Sequence, residues 1–201
     1  MFILYAVLVG LLVGVLAGGR ASGLGRVRFR WGPLVFVGFL TQVVLFSAPV
    51  AERVGWLGAP VYVASTALVL VVLLRNLSVP GLPIVALGAL SNFLAIVANG
   101  GYMPASTSAL AALGKSPAAG YSNSSVVADP ALAPLTDIFA LPARLPFANV
   151  FSIGDVLIGV GVAAAIVVAM RDWRDDTPDE GPEEATETAS VVHAASGPEA
   201  H

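Results

Sequence analysis

The chain has 201 residues, of which 57% are hydrophobic and only 11% charged, with a formal net charge of −3. A soluble domain carries about 25% charged residues, so this composition excludes a lone water-soluble globule, and it equally excludes a disordered chain. There is no basic stripe of the kind a nucleic-acid binder needs. Cysteine is absent and the two histidines are His193 and His201, which removes disulfides, thiol catalysis and a His/Cys metal centre; no metal and no cofactor is expected.

In chain order, apolar runs cover 2–18, 33–50, 58–74, 79–98 and 147–170. Each approaches the roughly 20 residues that cross about 30 Å of hydrocarbon. They predict an all-α, polytopic membrane bundle of about five transmembrane helices, the last over 150–170, with four as the alternative count. The first run has no basic stretch before it and is followed by Arg20, Arg26, Arg28 and Arg30, the pattern of a retained helix rather than a cleaved signal. The segments after runs one, three and five hold seven arginines, whereas the opposite side holds Arg53, Lys115 and Arg144. Positive charge stays inside, so the N-terminus is expected outside the cell membrane and the C-terminal tail in the cytoplasm. Trp31 and Trp173 fit interfacial anchoring.

The topology leaves one long outer segment, about 100–146. Within it 106–113 predicts a short helix, with Ser106 or Ser108 as N-cap and Gly114 as its stop. Residues 120–125 have turn chemistry, and 131–147 is apolar with three prolines, so it is expected on or in the outer interface. Residues 172–201 hold nine of the thirteen acidic groups and one basic group, Arg174. They predict a disordered acidic tail able to recruit a cytoplasmic partner. The membrane domain, 1–171, then carries nine basic and four acidic groups, a net charge of +5.

Ionisable groups inside a membrane are costly, so the four carboxylates of that domain are the natural functional candidates. Glu52 beside Arg53 reads as a solvated pair, and Asp129 before Pro130 as turn chemistry. Asp155 stands 16 residues before Arg171, roughly 24 Å of helix, which puts it just inside the outer boundary. Ser152-Ile-Gly-Asp155 also matches a capping box, with the carboxylate at the positive helix N-terminus. Asp137 can cap a short helix over 138–141. Asn92 is placed for a helix–helix hydrogen bond and Asn99 for a C-terminal cap. Alternatively, Asp137 and Asp155 converge at the outer interface as a carboxylate dyad that shares a proton and activates water.

The stretch from Asp137-Ile-Phe-Ala-Leu-Pro to Phe151-Ser152-Ile153-Gly154-Asp155, with Gly88-Ala89-Leu90-Ser91-Asn92 before it, resembles the C-terminal half of lipoprotein signal peptidases. That resemblance implies a membrane aspartyl hydrolase with catalytic Asp137 and Asp155, supported by Asn92, Asn99 and Ser152, acting on a membrane-anchored peptide or lipid-linked substrate at the outer face. The sequence departs from the family in lacking an Asp-Arg pair after Asn92, where Phe93-Leu94-Ala95-Ile96 follows, and in having Ser152 where the family has asparagine. As a whole, with Asn-Gly-Gly-Tyr-Met-Pro at 99–104 and Phe-Ser-Ile-Gly-Asp at 151–155, the chain resembles an uncharacterised bacterial membrane family, a domain of unknown function. Three functions follow in order: a non-enzymatic scaffold or accessory protein in the lipid bilayer, an aspartyl hydrolase, and a small-solute transporter. The last is weakest because no internal repeat is evident.

Overall fold

The computed structural model describes residues 2–114 and 124–172. The expected acidic tail, apart from Asp172, and most of the turn predicted at 120–125 lie outside the described residues. The chain is mostly helical. Among the described residues, five long helices, α1 (Phe2–Leu16), α2 (Gly32–Leu45), α4 (Gly58–Leu74), α5 (Leu82–Ala98) and α7 (Ile153–Arg171), are joined by two short ones, α3 (Ala48–Ala51) and α6 (Thr107–Ala112). The same residues form four strands of two residues each: β1 (Met103–Pro104) pairs in parallel with β2 (Ser124–Ser125), and β3 (Phe139–Ala140) pairs antiparallel with β4 (Val150–Phe151).

The long helices pack in the order α1–α7–α5–α4–α2, so the last helix sits between the first and the fourth. Close contacts give their directions. Gly10 faces Ala163 and Gly14 faces Met170, so α1 and α7 run parallel. Gly81 lies against Gly161 and Ala165 while Gly88 lies against Gly154 and Ile158, so α5 runs antiparallel to α7. Gly38 against Ser65 and Val69, and Gln42 donating to Thr66, set α2 antiparallel to α4. The strands, α3 and α6 therefore gather at one end of the bundle. Arg20, Arg26, Arg28, Arg30, Arg75 and Arg171 gather at the other.

Small residues make this packing possible. A Cβ on Gly10 would lie 2.9 Å from the Ala163 Cα, and one on Gly161 would lie 2.7 Å from the Val85 nitrogen, distances that side chains do not tolerate. The buried residues of α1 are Gly10 and Gly14, and those of α7 are Gly154, Gly159, Gly161, Ala169 and Met170. Many large apolar side chains point away from the bundle, with Leu16 and Phe36 each 77% exposed and Val43 68% exposed, whereas Leu70, Leu73, Leu82 and Val85 form a core between α4 and α5.

α4 fills the expected run 58–74, whereas the other four long helices are shorter than their apolar runs. Two segments, Gly55–Leu74 and Ile153–Arg171, are long and apolar enough to cross a membrane by length and composition, whereas α1, α2 and α5 have 15, 14 and 17 residues. The physical causes are local. Gly18 adopts a left-handed φ of 74° and the Gly19 N–H turns back to the Gly14 carbonyl, which closes α1 at Leu16. The expected 33–50 span stops at Leu45 because Pro49 has no N–H to continue the helix; Pro49 opens the separate turn α3. Gly81, with φ 85°, and Pro83 start α5 at Leu82 rather than at 79. Val150 and Phe151 pair with β3, so α7 starts at Ile153 rather than at 150.

Candidate functional site

The first turn of α7 and the middle of α5 share one hydrogen-bonded cluster. The Asp155 backbone N–H donates to Ser152 Oγ at 3.0 Å and the Ser152 N–H donates to Asp155 Oδ2 at 3.1 Å, the reciprocal capping box. Asn92 joins it from α5: its Nδ2 donates to Asp155 Oδ1 at 2.9 Å, and its Oδ1 accepts the Ser152 hydroxyl at 2.8 Å. Ser152 is fully buried and Asp155 half-buried. Gly154 lets the helices meet here, since a Cβ on it would fall 2.7 Å from Asn92 Cγ and 2.8 Å from the Gly88 carbonyl oxygen. Both Asp155 oxygens thus accept one bond each, and the capping box read from the sequence is present.

Asp137 is placed differently from the short helix expected over 138–141. Its N–H donates to the Pro104 carbonyl at 2.9 Å and its carbonyl accepts from the Ser106 N–H at 3.0 Å, a parallel bridge beside Ala105. Phe139–Ala140 then continues as β3, because β4 offers an edge to pair with. Asp137 is buried, 6% exposed. The β3–β4 register, Phe139 opposite Phe151, lays its segment alongside the residues that lead into α7. The Asp155 carboxylate makes its bonds to Asn92 and Ser152.

Asn99 caps α5 and also holds the outer segment. Its Nδ2 donates to the Ala95 and Ala131 carbonyls at 2.8 and 2.9 Å, and its Oδ1 accepts the Ala131 N–H at 2.9 Å. The helix expected over 106–113 is α6, with Ser106 at the N-cap position and Gly114 at φ 63°. The Ser106 hydroxyl bonds Ser108 Oγ at 2.6 Å rather than the helix backbone. Tyr5 Oη donates to the Pro146 carbonyl at 2.7 Å, and Phe2 and Phe139 both stack on Phe151, which ties α1 to the same end. Among the described residues there is no group of three His, Cys, Asp or Glu able to hold a metal.

Sequence reasoning missed a second polar clasp at the arginine end. Buried Asn76 accepts the Arg30 N–H at 2.7 Å and donates to the Arg30 and Val72 carbonyls at 2.9 and 2.7 Å. The Arg75 guanidinium lies 4.7 Å over the Trp31 ring beside it. An asparagine just after an apolar run was the available signal, but its partner lies 46 residues away.

These features define a small-residue helical bundle clasped by polar side chains at both ends. The chain belongs to a family of unknown function (DUF5317), whose model matches residues 26–167. That match runs from before α2 into α7 and so includes both clasps. No curated protein and no solved structure matches the chain, and the resemblance to lipoprotein signal peptidases finds no support in these comparisons.

Proposed function

We propose that the chain is a non-enzymatic integral membrane protein, a scaffold or accessory subunit whose five long helices lie in the bilayer. One observation carries this reading: α1 and α7 bury mainly glycine, while many large apolar side chains of the long helices, Leu16, Phe36 and Val43 among them, face outward even though α4 and α5 keep a leucine and valine core between them. In lipid, large side chains gain nothing by leaving the surface, and small ones let backbones approach. The two segments of spanning length are only 33% and 28% buried over their most apolar windows, unlike the core helix of a soluble protein. The shorter α1, α2 and α5 reach across with their flanking turns and local thinning of the bilayer. The arginine end faces the cytoplasm and the strand-bearing end faces outward. Alkaline washing of cell membranes tests the reading: the chain stays with the lipid, and release into the supernatant overturns it.

In this reading Asp155 is a clasp rather than a base. Its two oxygens are held by Asn92 and by the Ser152 N–H, which orient the start of α7 against α5. A second reading, the Asp137/Asp155 hydrolase acting on a membrane-anchored peptide, is favoured by the β3–β4 ladder that lays the two segments side by side. Asp137→Asn and Asp155→Asn separate the two. For a clasp, lipopeptide processing in cells is the same with and without the substitutions. For a dyad, a cleavage present in the wild type is lost in both while the protein remains folded.

A further inference from the structure

The row of long helices ends in α1 on one side and α2 on the other, and each packs chiefly against a single long helix, α7 and α4 respectively. Their outward faces are large and apolar, with Leu8 and Leu12 of α1 and Phe36 and Leu40 of α2 all exposed. Both edge helices are short. The 15 residues of α1 rise about 22 Å and the 14 of α2 about 21 Å, against about 30 Å of hydrocarbon in an ordinary bilayer. Inside the row, Gly55–Leu74 and Ile153–Arg171 have 20 and 19 residues and rise about 30 Å and about 28 Å. The heights of the edges are fixed by what bounds them. On α1 the Pro146 carbonyl accepts from Tyr5 in the first turn, with exposed Phe147 beside it, and the helix closes inward at left-handed Gly18. On α2 the inner bound is Trp31 under the Arg75 guanidinium, and the outer bound is Ser47, with Glu52 and Arg53 following. Exposed Trp56 stands at the outer start of α4, next to the end of α2. Aromatic rings at these levels suit the headgroup interface.

We propose that the two edges of the row bind phospholipids with short acyl chains and thin the bilayer around them. The inference rests on the membrane reading above, and it names the lipid that fits. A span shorter than the hydrocarbon is accommodated by snorkelling side chains, by oligomerising or by thinning the bilayer, and tilting only shortens it further. Snorkelling has no means here, since α1 and α2 contain no lysine or arginine. Close packing against a second copy needs small residues on the outer face. Those of the edge helices are used within the row, Gly10 against Ala163, Gly14 against Met170 and Gly38 against Val69. Leucine, valine and phenylalanine face outward instead, and acyl chains solvate these as well as another protein would. Thinning by about 8 Å is what remains, and short chains supply it without being compressed.

Quenching of tryptophan fluorescence by brominated lipid tests this in the full chain, reconstituted in dimyristoleoyl, dioleoyl or dierucoyl phosphatidylcholine. The natural Trp31, Trp56 and Trp173 are changed to phenylalanine, and one reporter is placed at a time: Leu8→Trp on α1, Phe36→Trp on α2 or Val160→Trp on α7, all at exposed positions. Competition of each lipid with brominated dioleoyl phosphatidylcholine gives its relative binding at the reporter. The cost of mismatch grows with every ångström, so at positions 8 and 36 the dimyristoleoyl lipid binds at least about threefold more tightly than the dierucoyl lipid. At position 160, on a helix of nearly full length, that preference falls away. The unaltered chain supplies a second measurement: in native mass spectrometry it retains more of the dimyristoleoyl than of the dierucoyl lipid from an equal mixture. Equal binding at both edges, the same preference at position 160, or edge reporters that no lipid quenches because a second copy covers them, overturns the proposal. Release of the chain by alkaline washing defeats the membrane reading itself. A chain that stays in the membrane yet does not discriminate between chain lengths at its edges defeats this inference alone.

Discussion

Replacing Asn92 by alanine removes the only described side chain that links the first turn of α7 to α5 through hydrogen bonds. Two interhelical bonds disappear, one to Asp155 Oδ1 at 2.9 Å and one from Ser152 Oγ at 2.8 Å. Interhelical bonds in membranes average about 0.6 kcal/mol and reach about 1.7, so the pair contributes about 1–3 kcal/mol. The Ser152 hydroxyl, fully buried, also loses its acceptor, which moves the loss toward the upper half of that range. The capping box itself survives, because its two bonds run within residues 152–155. Unfolding in mixed micelles, followed by circular dichroism, gives the free energy. A double-mutant cycle with Asp155→Ala isolates the shared bond, and a coupling of about 0.5–1.5 kcal/mol is expected. A loss below about 0.5 kcal/mol with no coupling refutes the clasp.

Gly154→Ala forces α5 and α7 apart, because the new Cβ meets Asn92 Cγ at 2.7 Å and the Gly88 carbonyl oxygen at 2.8 Å; about 1–3 kcal/mol is lost in the same unfolding assay. Gly25→Ala is the control, with nothing within 4 Å of its Cβ and a change within about 0.5 kcal/mol. Asn76→Ala strands the Arg30 N–H and loosens the chain before α2, so tryptic cleavage at Arg28 and Arg30 accelerates and about 1–3 kcal/mol of stability is lost. Unchanged cleavage would show that Arg30 is held by other contacts.

The features legible in the sequence are those set by neighbouring residues. Ser152 and Asp155 stand three apart and form their capping box whatever surrounds them. Gly114 ends α6 for a similarly local reason, its positive φ. What depends on distant partners was not legible in full. Asn92 signals a helix–helix bond, but its pairing with Ser152 and Asp155 depends on the antiparallel register that Gly88 and Gly154 permit. Asp137 followed by Ile-Phe-Ala-Leu reads as a capped helix until β4 supplies the opposing edge. Asn76 has a partner 46 residues away and no local pattern to announce it. The expected spans 33–50 and 79–98 run across Pro49 and Gly81, because an apolar run measures hydrophobic length, whereas a helix ends where its backbone hydrogen bonds do.

The central claim is the bundle's placement across the membrane, and the natural absence of cysteine makes it directly measurable. Single cysteines at Ser22, Glu52, Ser78 and Ala143, all exposed, sample four connections at the two ends of the bundle. Intact bacterial cells are treated with a membrane-impermeant thiol reagent, before and after permeabilisation. The account predicts labelling at 52 and 143 in intact cells, and at 22 and 78 only once the membrane is opened. Labelling of all four in intact cells, or protection at 52 or 143 with labelling at 22 or 78, contradicts it.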